Sequence, residues 1–191
     1  MKYIIFSLLL LCVLFIAFLL AQYTSKRFGF NKVRATAIIV AVSLIYTLSL
    51  LYFFGVAAIT VRGLALLFIL MYSSSEDIKT RNCDDCIHLM IVIAAFIGKE
   101  IRQLPGMILS GIFVMVIMLL SVIIGKGKMG GADIKLSSAC AFLLGLQKGL
   151  TGLFIGLLLA IVINLIKGKN QKQPFPLIPY LSVGFTLAFL I

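Results

Sequence analysis

Long apolar runs broken by short polar stretches dominate the chain. Residues 3–21, 35–54, 56–75, 84–101, 107–124, 132–146, 149–166 and 176–191 are eight candidate helices. Several fall short of the ~20 residues that cross a bilayer upright, so flanking lysines must snorkel or the helices must begin within the headgroup layer. The fourth run is the weakest, because its apolar part covers only residues 87–97. Asn82, Asp84 and Asp85 supply an N-cap and first-turn acids for it, which favours a start in the aqueous loop. The first run exceeds the ~7 to 15 residues of a signal h-region, and Leu19 with Ala21 makes a poor cleavage site, so it reads as a retained span. The expected fold class is all-α, a polytopic transmembrane bundle of six to eight helices. Residues 1–63 form its N-terminal helices, joined by a short basic loop, and residues 64–191 its core.

Composition agrees with that pattern. With 62% hydrophobic and 12% charged residues and a mean hydropathy of +1.20, the chain has too little polar surface for a soluble domain. A net charge of +11 would suit nucleic acid, but the cations sit in short loops between apolar runs, where they read as topology signals. If the loop after the first helix is cytoplasmic, that side collects Lys26, Arg27, Lys32, Arg34, Lys79, Arg81, Lys126, Lys128, Lys167, Lys169 and Lys172, with Lys135 just inside a helix. The other side keeps Lys2, Arg62, Lys99, Arg102 and Lys148. The bias places the N-terminus outside, and Asp77 and Asp133 together on the cytoplasmic side.

Those two aspartates are the chain's main chemical signal. Only six acids are present, and two stand in similar surroundings: Ser73-Ser74-Ser75-Glu76-Asp77-Ile78-Lys79 ends one apolar run, and Gly130-Gly131-Ala132-Asp133-Ile134-Lys135-Leu136 opens another. A carboxylate at a membrane boundary is costly to desolvate and points to function. Ser73 lies one turn before Asp77 and Ser137 one turn after Asp133, so each acid extends a polar stripe that should face the bundle interior. Two carboxylates held close together share one proton. The ionised member can then take a proton from water while the protonated member donates to a scissile carbonyl, with no metal, cofactor or covalent intermediate required. The plain alternative is two snorkelling acids, one paired with Lys79 or Arg81 and the other with Lys135.

The remaining signals are weaker. Cys83-Asp84-Asp85-Cys86 is a single CxxC, two ligands short of a structural zinc site, and Cys12 and Cys140 lie in apolar helices. His88, the only histidine, reads as a polar anchor without a catalytic role. Residues 125–131 are glycine-rich but lack the ending of a phosphate-binding loop, and read as a mobile connection that lets backbone approach a peptide. Residues 167–172 read as a cytoplasmic loop near anionic lipid headgroups.

Three stretches in order resemble the type IV prepilin peptidases, membrane aspartyl proteases of the GxGD type. An aspartate followed by a basic loop and a new helix matches Asp77-Ile78-Lys79-Thr80-Arg81-Asn82-Cys83-Asp84-Asp85. The GxGD motif matches Gly130-Gly131-Ala132-Asp133, and a proline-rich start of the last helix matches residues 174–184. Ala132 replaces the motif's second glycine, which reduces backbone freedom beside Asp133, and Cys83-Asp84-Asp85 replaces the usual Ile-Pro-Asn. The resemblance implies a catalytic pair Asp77 and Asp133, with Lys79, Lys135, Gly130 and Gly131 in support. It also implies pilin-like precursors with a hydrophobic N-terminal helix as substrates, cut at the cytoplasmic face of a prokaryotic inner membrane. Larger members carry a methyltransferase domain between the first two helices. Here that loop is only residues 22–34, which implies a peptidase-only form. A proton- or cation-coupled transporter and a non-catalytic pilus or secretion assembly partner remain open alternatives. The transporter would carry internal repeats with acids near mid-membrane, and no clear repeat is found.

Overall fold

The computed structural model describes residues 2–124, 130–167 and 176–191. Among them are eight α-helices, a single 3-10 turn and no strand. The helices are α1 (Lys2–Phe28), α2 (Lys32–Phe54), α3 (Ala58–Thr80), α4 (Asp85–Ala95), α5 (Leu104–Ile124), α6 (Gly131–Leu144), α7 (Leu146–Lys167) and α8 (Ile178–Leu190). An all-helical answer is what a hydrocarbon environment demands, because helices satisfy their backbone polar groups within one segment. Five segments, on α1, α2, α3, α5 and α7, are long and apolar enough to cross a membrane. At 1.5 Å per residue, α4, α6 and α8 extend only about 16, 21 and 20 Å.

Several helix ends differ from the hydropathy limits. α1 continues past the apolar run through Arg27, so the connection to α2 shrinks from the expected 22–34 to residues 29–31. α3 continues through Thr80, which places Asp77 inside the helix, one turn from its end. The fourth helix stops at Ala95 instead of residue 101, and its N-cap Asp84 makes no side-chain capping bond. Gly145 permits the abrupt passage from α6 to α7: it adopts φ +87°, and its N–H returns to the Ala141 carbonyl at 2.8 Å. Residues 125–129 of the expected mobile connection at 125–131, the first two residues of the 174–184 stretch, and residues 168–172 of the basic loop lie outside the described residues.

Packing follows one apolar stripe per helix. On α5 the buried positions Met107, Ser110, Gly111, Val114 and Met118 recur every three or four residues, while Leu109, Ile112, Phe113 and Leu120 are exposed. The core is built around Leu66 and Leu70 of α3, Ile91 of α4, Leu136 and Leu143 of α6, and Leu181 and Phe185 of α8. Glycines bring α7 and α8 into backbone contact. A Cβ on Gly156 would stand 2.8 Å from Leu181 Cα, and one on Gly184 would stand 2.5 Å from Gly156 N. α3 packs against α4 and α8, and α6 packs against the same two helices, whereas α3 and α6 make no direct backbone approach among the described residues. The four helices form a ring with α3 and α6 on opposite sides.

Candidate active site

Three helix N-termini and one C-terminus open onto the same end of this ring. α4, α6 and α8 begin there and α3 ends there. Helix N-termini present unpaired N–H groups and a partial positive charge, so this end is suited to carboxylates.

Asp77 occupies the last turn of α3 and is 7% exposed. Its Oδ2 accepts a hydrogen bond from the backbone N–H of Ile178, the first residue of α8, at 3.3 Å. Its carbonyl accepts from the N–H of Arg81, which closes α3 in a left-handed conformation at φ +57°, and the Arg81 charge acts on the Asp77 carboxyl. One turn earlier, the Ser73 hydroxyl lies 3.2 Å from the Cys83 sulfur.

Asp133 is the third residue of α6, with Gly130 as N-cap. Its N–H donates to the Gly130 carbonyl at 3.2 Å, which closes the first turn of the helix. A side chain on Gly130 would place Cβ 3.2 Å from Asp133 Oδ2, so the absence of one leaves the carboxyl its position. The charge of Asp77 reaches Asp133. The two carboxylates therefore share one end of the ring, although the helices that carry them do not pack together.

The supporting lysines are placed differently from the expectation. Lys135 Nζ binds Asp85 Oδ1 at 2.7 Å, and Lys79 Nζ lies 5.0 Å from the centre of the Phe30 ring. The cation that acts on Asp77 is Arg81. Gly131 stands at the first position of α6 with open space around it. Ala132 adopts ordinary helical backbone, so the position needs no glycine, and its methyl group costs nothing in backbone freedom.

Sequence reasoning missed two contributors. His88, buried to 8% exposure, places Nε2 3.3 Å from the Ala132 carbonyl, the residue before Asp133. Together with the Lys135–Asp85 pair it fastens the start of α4 to the start of α6. The i, i+3 spacing of Asp85 and His88 was the available signal, since it puts both on one helix face. Glu76, 4% exposed, accepts the Asp84 N–H through Oε2 at 3.2 Å and faces Arg27 through Oε1 at 3.6 Å. Arg27 also donates to the hydroxyls of Tyr72 at 2.6 Å and Tyr23 at 3.0 Å. This cluster fixes the α3–α4 loop beside Asp77. The thiols of the CxxC diverge, Cys83 buried and Cys86 exposed.

Residues 64–165, just over half of the chain, match the model of the type IV leader peptidase family. The chain belongs to this family. The matched stretch of the peptidase contains Asp77 and Asp133 and ends before α8, the helix whose first N–H binds Asp77. Comparison of the peptidase with curated proteins and with solved structures gave no match.

Proposed function

We propose that Asp77 and Asp133 are the catalytic pair of a membrane aspartyl endopeptidase that removes the leader of pilin-like precursors at the cytoplasmic face. The observation that carries this reading is that buried Asp77 and half-buried Asp133 stand at the same end of the ring of α3, α4, α6 and α8, on the two helices that face one another across it. Their helices stand apart, so the space between the acids can admit water and an extended peptide. Two carboxylates in mutual reach hold one proton between them. The ionised member removes a proton from water as it attacks the scissile carbonyl, and the protonated member donates to the carbonyl oxygen. The proton taken from water is then passed to the leaving amine. The helix N-termini of α6 and α8 offset the net negative charge of the pair at no cost in reorganisation.

The substrate's hydrophobic helix lies against the lipid-facing side of the bundle while its leader junction bends into the ring. The three-residue connection between α1 and α2 supports a form without a methyltransferase domain there. The test is cleavage of a co-reconstituted pilin-like precursor by wild type, Asp77→Asn and Asp133→Asn at matched expression. Loss of the shortened product in both variants, with folding intact, is expected. A variant that still cleaves at the wild-type rate would remove its aspartate from the mechanism. Failure of wild type over a panel of leaders would redirect attention to proton or cation flux.

A further inference from the structure

Charge is segregated along this bundle. Five of its six acids, Glu76, Asp77, Asp84, Asp85 and Asp133, stand at the end that holds the candidate active site, and all ion pairs among the described residues lie there. Arg62 is 15 residues before Asp77 on α3, about 22 Å away along the helix axis, so it belongs to the opposite end. Lys148 joins it from the start of α7, and Lys99 from the turn after α4.

These three cations converge. Arg62 donates to the Ile97 carbonyl at 3.4 Å, and its guanidinium lies 5.9 Å from the Phe189 ring centre. Lys148 donates to the Phe189 carbonyl at 3.2 Å. The turn that carries Lys99 is pressed onto α3, where a Cβ on Gly98 would stand 2.5 Å from that of Ala58. Lys99 is held below the ordinary lysine range by its burial and by the charges of Arg62 and Lys148. Arg62 is 8% exposed, and its Nε has no hydrogen-bond partner. The nearest acid in sequence, Glu100, is exposed. The positive-inside pattern does not account for the cluster, because by that pattern this end faces away from the cytoplasm and should be poor in cations.

We infer that Arg62, Lys99 and Lys148 form a binding site for a phosphate-bearing anion at the end of the bundle remote from the two aspartates. The ligand is a lipid headgroup phosphodiester or free phosphate. Arg62 supplies a buried forked donor and the two half-exposed lysines close over the anion from the solvent side. An anion there relieves the mutual repulsion of the three cations and links α3, α7 and the α4–α5 connection. A buried N–H without a partner gains one as well.

The test uses the full chain in phosphatidylcholine nanodiscs with or without phosphatidylglycerol, and in neutral detergent with inorganic phosphate against chloride at equal ionic strength. The thermal midpoint and the lipid retained in native mass spectrometry are followed. Wild type is expected to rise in midpoint with one or both anions. Lys99→Gln and Lys148→Gln should bind about tenfold more weakly or worse. Arg102→Gln, an exposed cation on the same side, should match wild type. Arg62→Gln alters a buried group and can fail to fold, so the two lysine variants decide. A rise with phosphatidylglycerol alone identifies a lipid headgroup, and a rise with inorganic phosphate identifies the free anion. No rise with either, or an equal rise in all variants, overturns the site and leaves the lysine as a simple helix-end cap for α8.

Discussion

Gly184→Ala tests whether helix packing sets the geometry of the aspartate pair. The new Cβ would meet the Gly152 carbonyl oxygen first, and would stand 2.5 Å from Gly156 N and 2.8 Å from its Cα, where ordinary contact begins near 3.4 Å. All three obstacles are backbone, so α8 must move away from α7 by about 1 Å. Overpacking of this kind costs about 1 to 3 kcal/mol. For a chain of this size that lowers the midpoint by roughly 2 to 12 °C. Ile178 lies six residues earlier on α8, about 9 Å along its axis, and its N–H is already 3.3 Å from Asp77 Oδ2. The shift therefore displaces the donor of this bond, and a displacement near 1 Å at reacting groups costs ~100-fold in rate. Thermal unfolding and precursor cleavage are measured in parallel with Gly106→Ala, which meets nothing within 4 Å and should be neutral or slightly stabilising. If Gly184→Ala kept both the wild-type midpoint and the wild-type rate, the proposed link from the glycine crossing to Asp77 would be wrong.

Removing His88 should act through α6: His88→Ala is expected to lower kcat several-fold with KM nearly unchanged, with partial rescue by His88→Gln, and equal loss in both variants would deny the ring nitrogen its positioning role. Glu76→Leu leaves the Asp84 N–H and Arg27 without a buried partner and should destabilise by about 1 to 3 kcal/mol, read by denaturation in detergent. Lys135→Gln breaks only an exposed pair, worth ~0 to 1 kcal/mol, so cleavage should stay within a few-fold of wild type; a loss comparable to that of Asp133→Asn would restore the lysine to the site. Gly130→Ala should slow cleavage while leaving the midpoint close to wild type, because the methyl group meets the Asp133 carboxyl before any backbone.

All eight helices were legible because each apolar run is long compared with the breaks between them. Their ends were not, and the reason is tertiary. Residues 22–27 are polar enough to read as loop, yet they continue α1 because Arg27 finds Glu76, Asp84 and two tyrosine hydroxyls. The two aspartates were visible through their scarcity and their matching surroundings, and the fold sets both at the end of the ring where α4, α6 and α8 begin. The Ile178 N–H was invisible in its role because its partner is 101 residues away, and for His88, whose partner is 44 residues away, only the helix face it shares with Asp85 was readable. The lysines misled for the opposite reason. Sequence proximity to each aspartate suggested an ion pair, but a flexible four-carbon stem on a helix surface reaches whichever acceptor is exposed, and for Lys135 that is Asp85.

Because α3 and α6 touch only through α4 and α8, no single interface holds the separation of the two aspartates. It is the joint outcome of two braces. Across an alignment of relatives this leaves a distinct evolutionary imprint: direct covariation between the α3 and α6 residues flanking the acids should be weak, while changes in α4 near His88 should be compensated by changes in α8 near Ile178. A lineage can thus drift in each brace and keep the pair in register, provided that the two drift together.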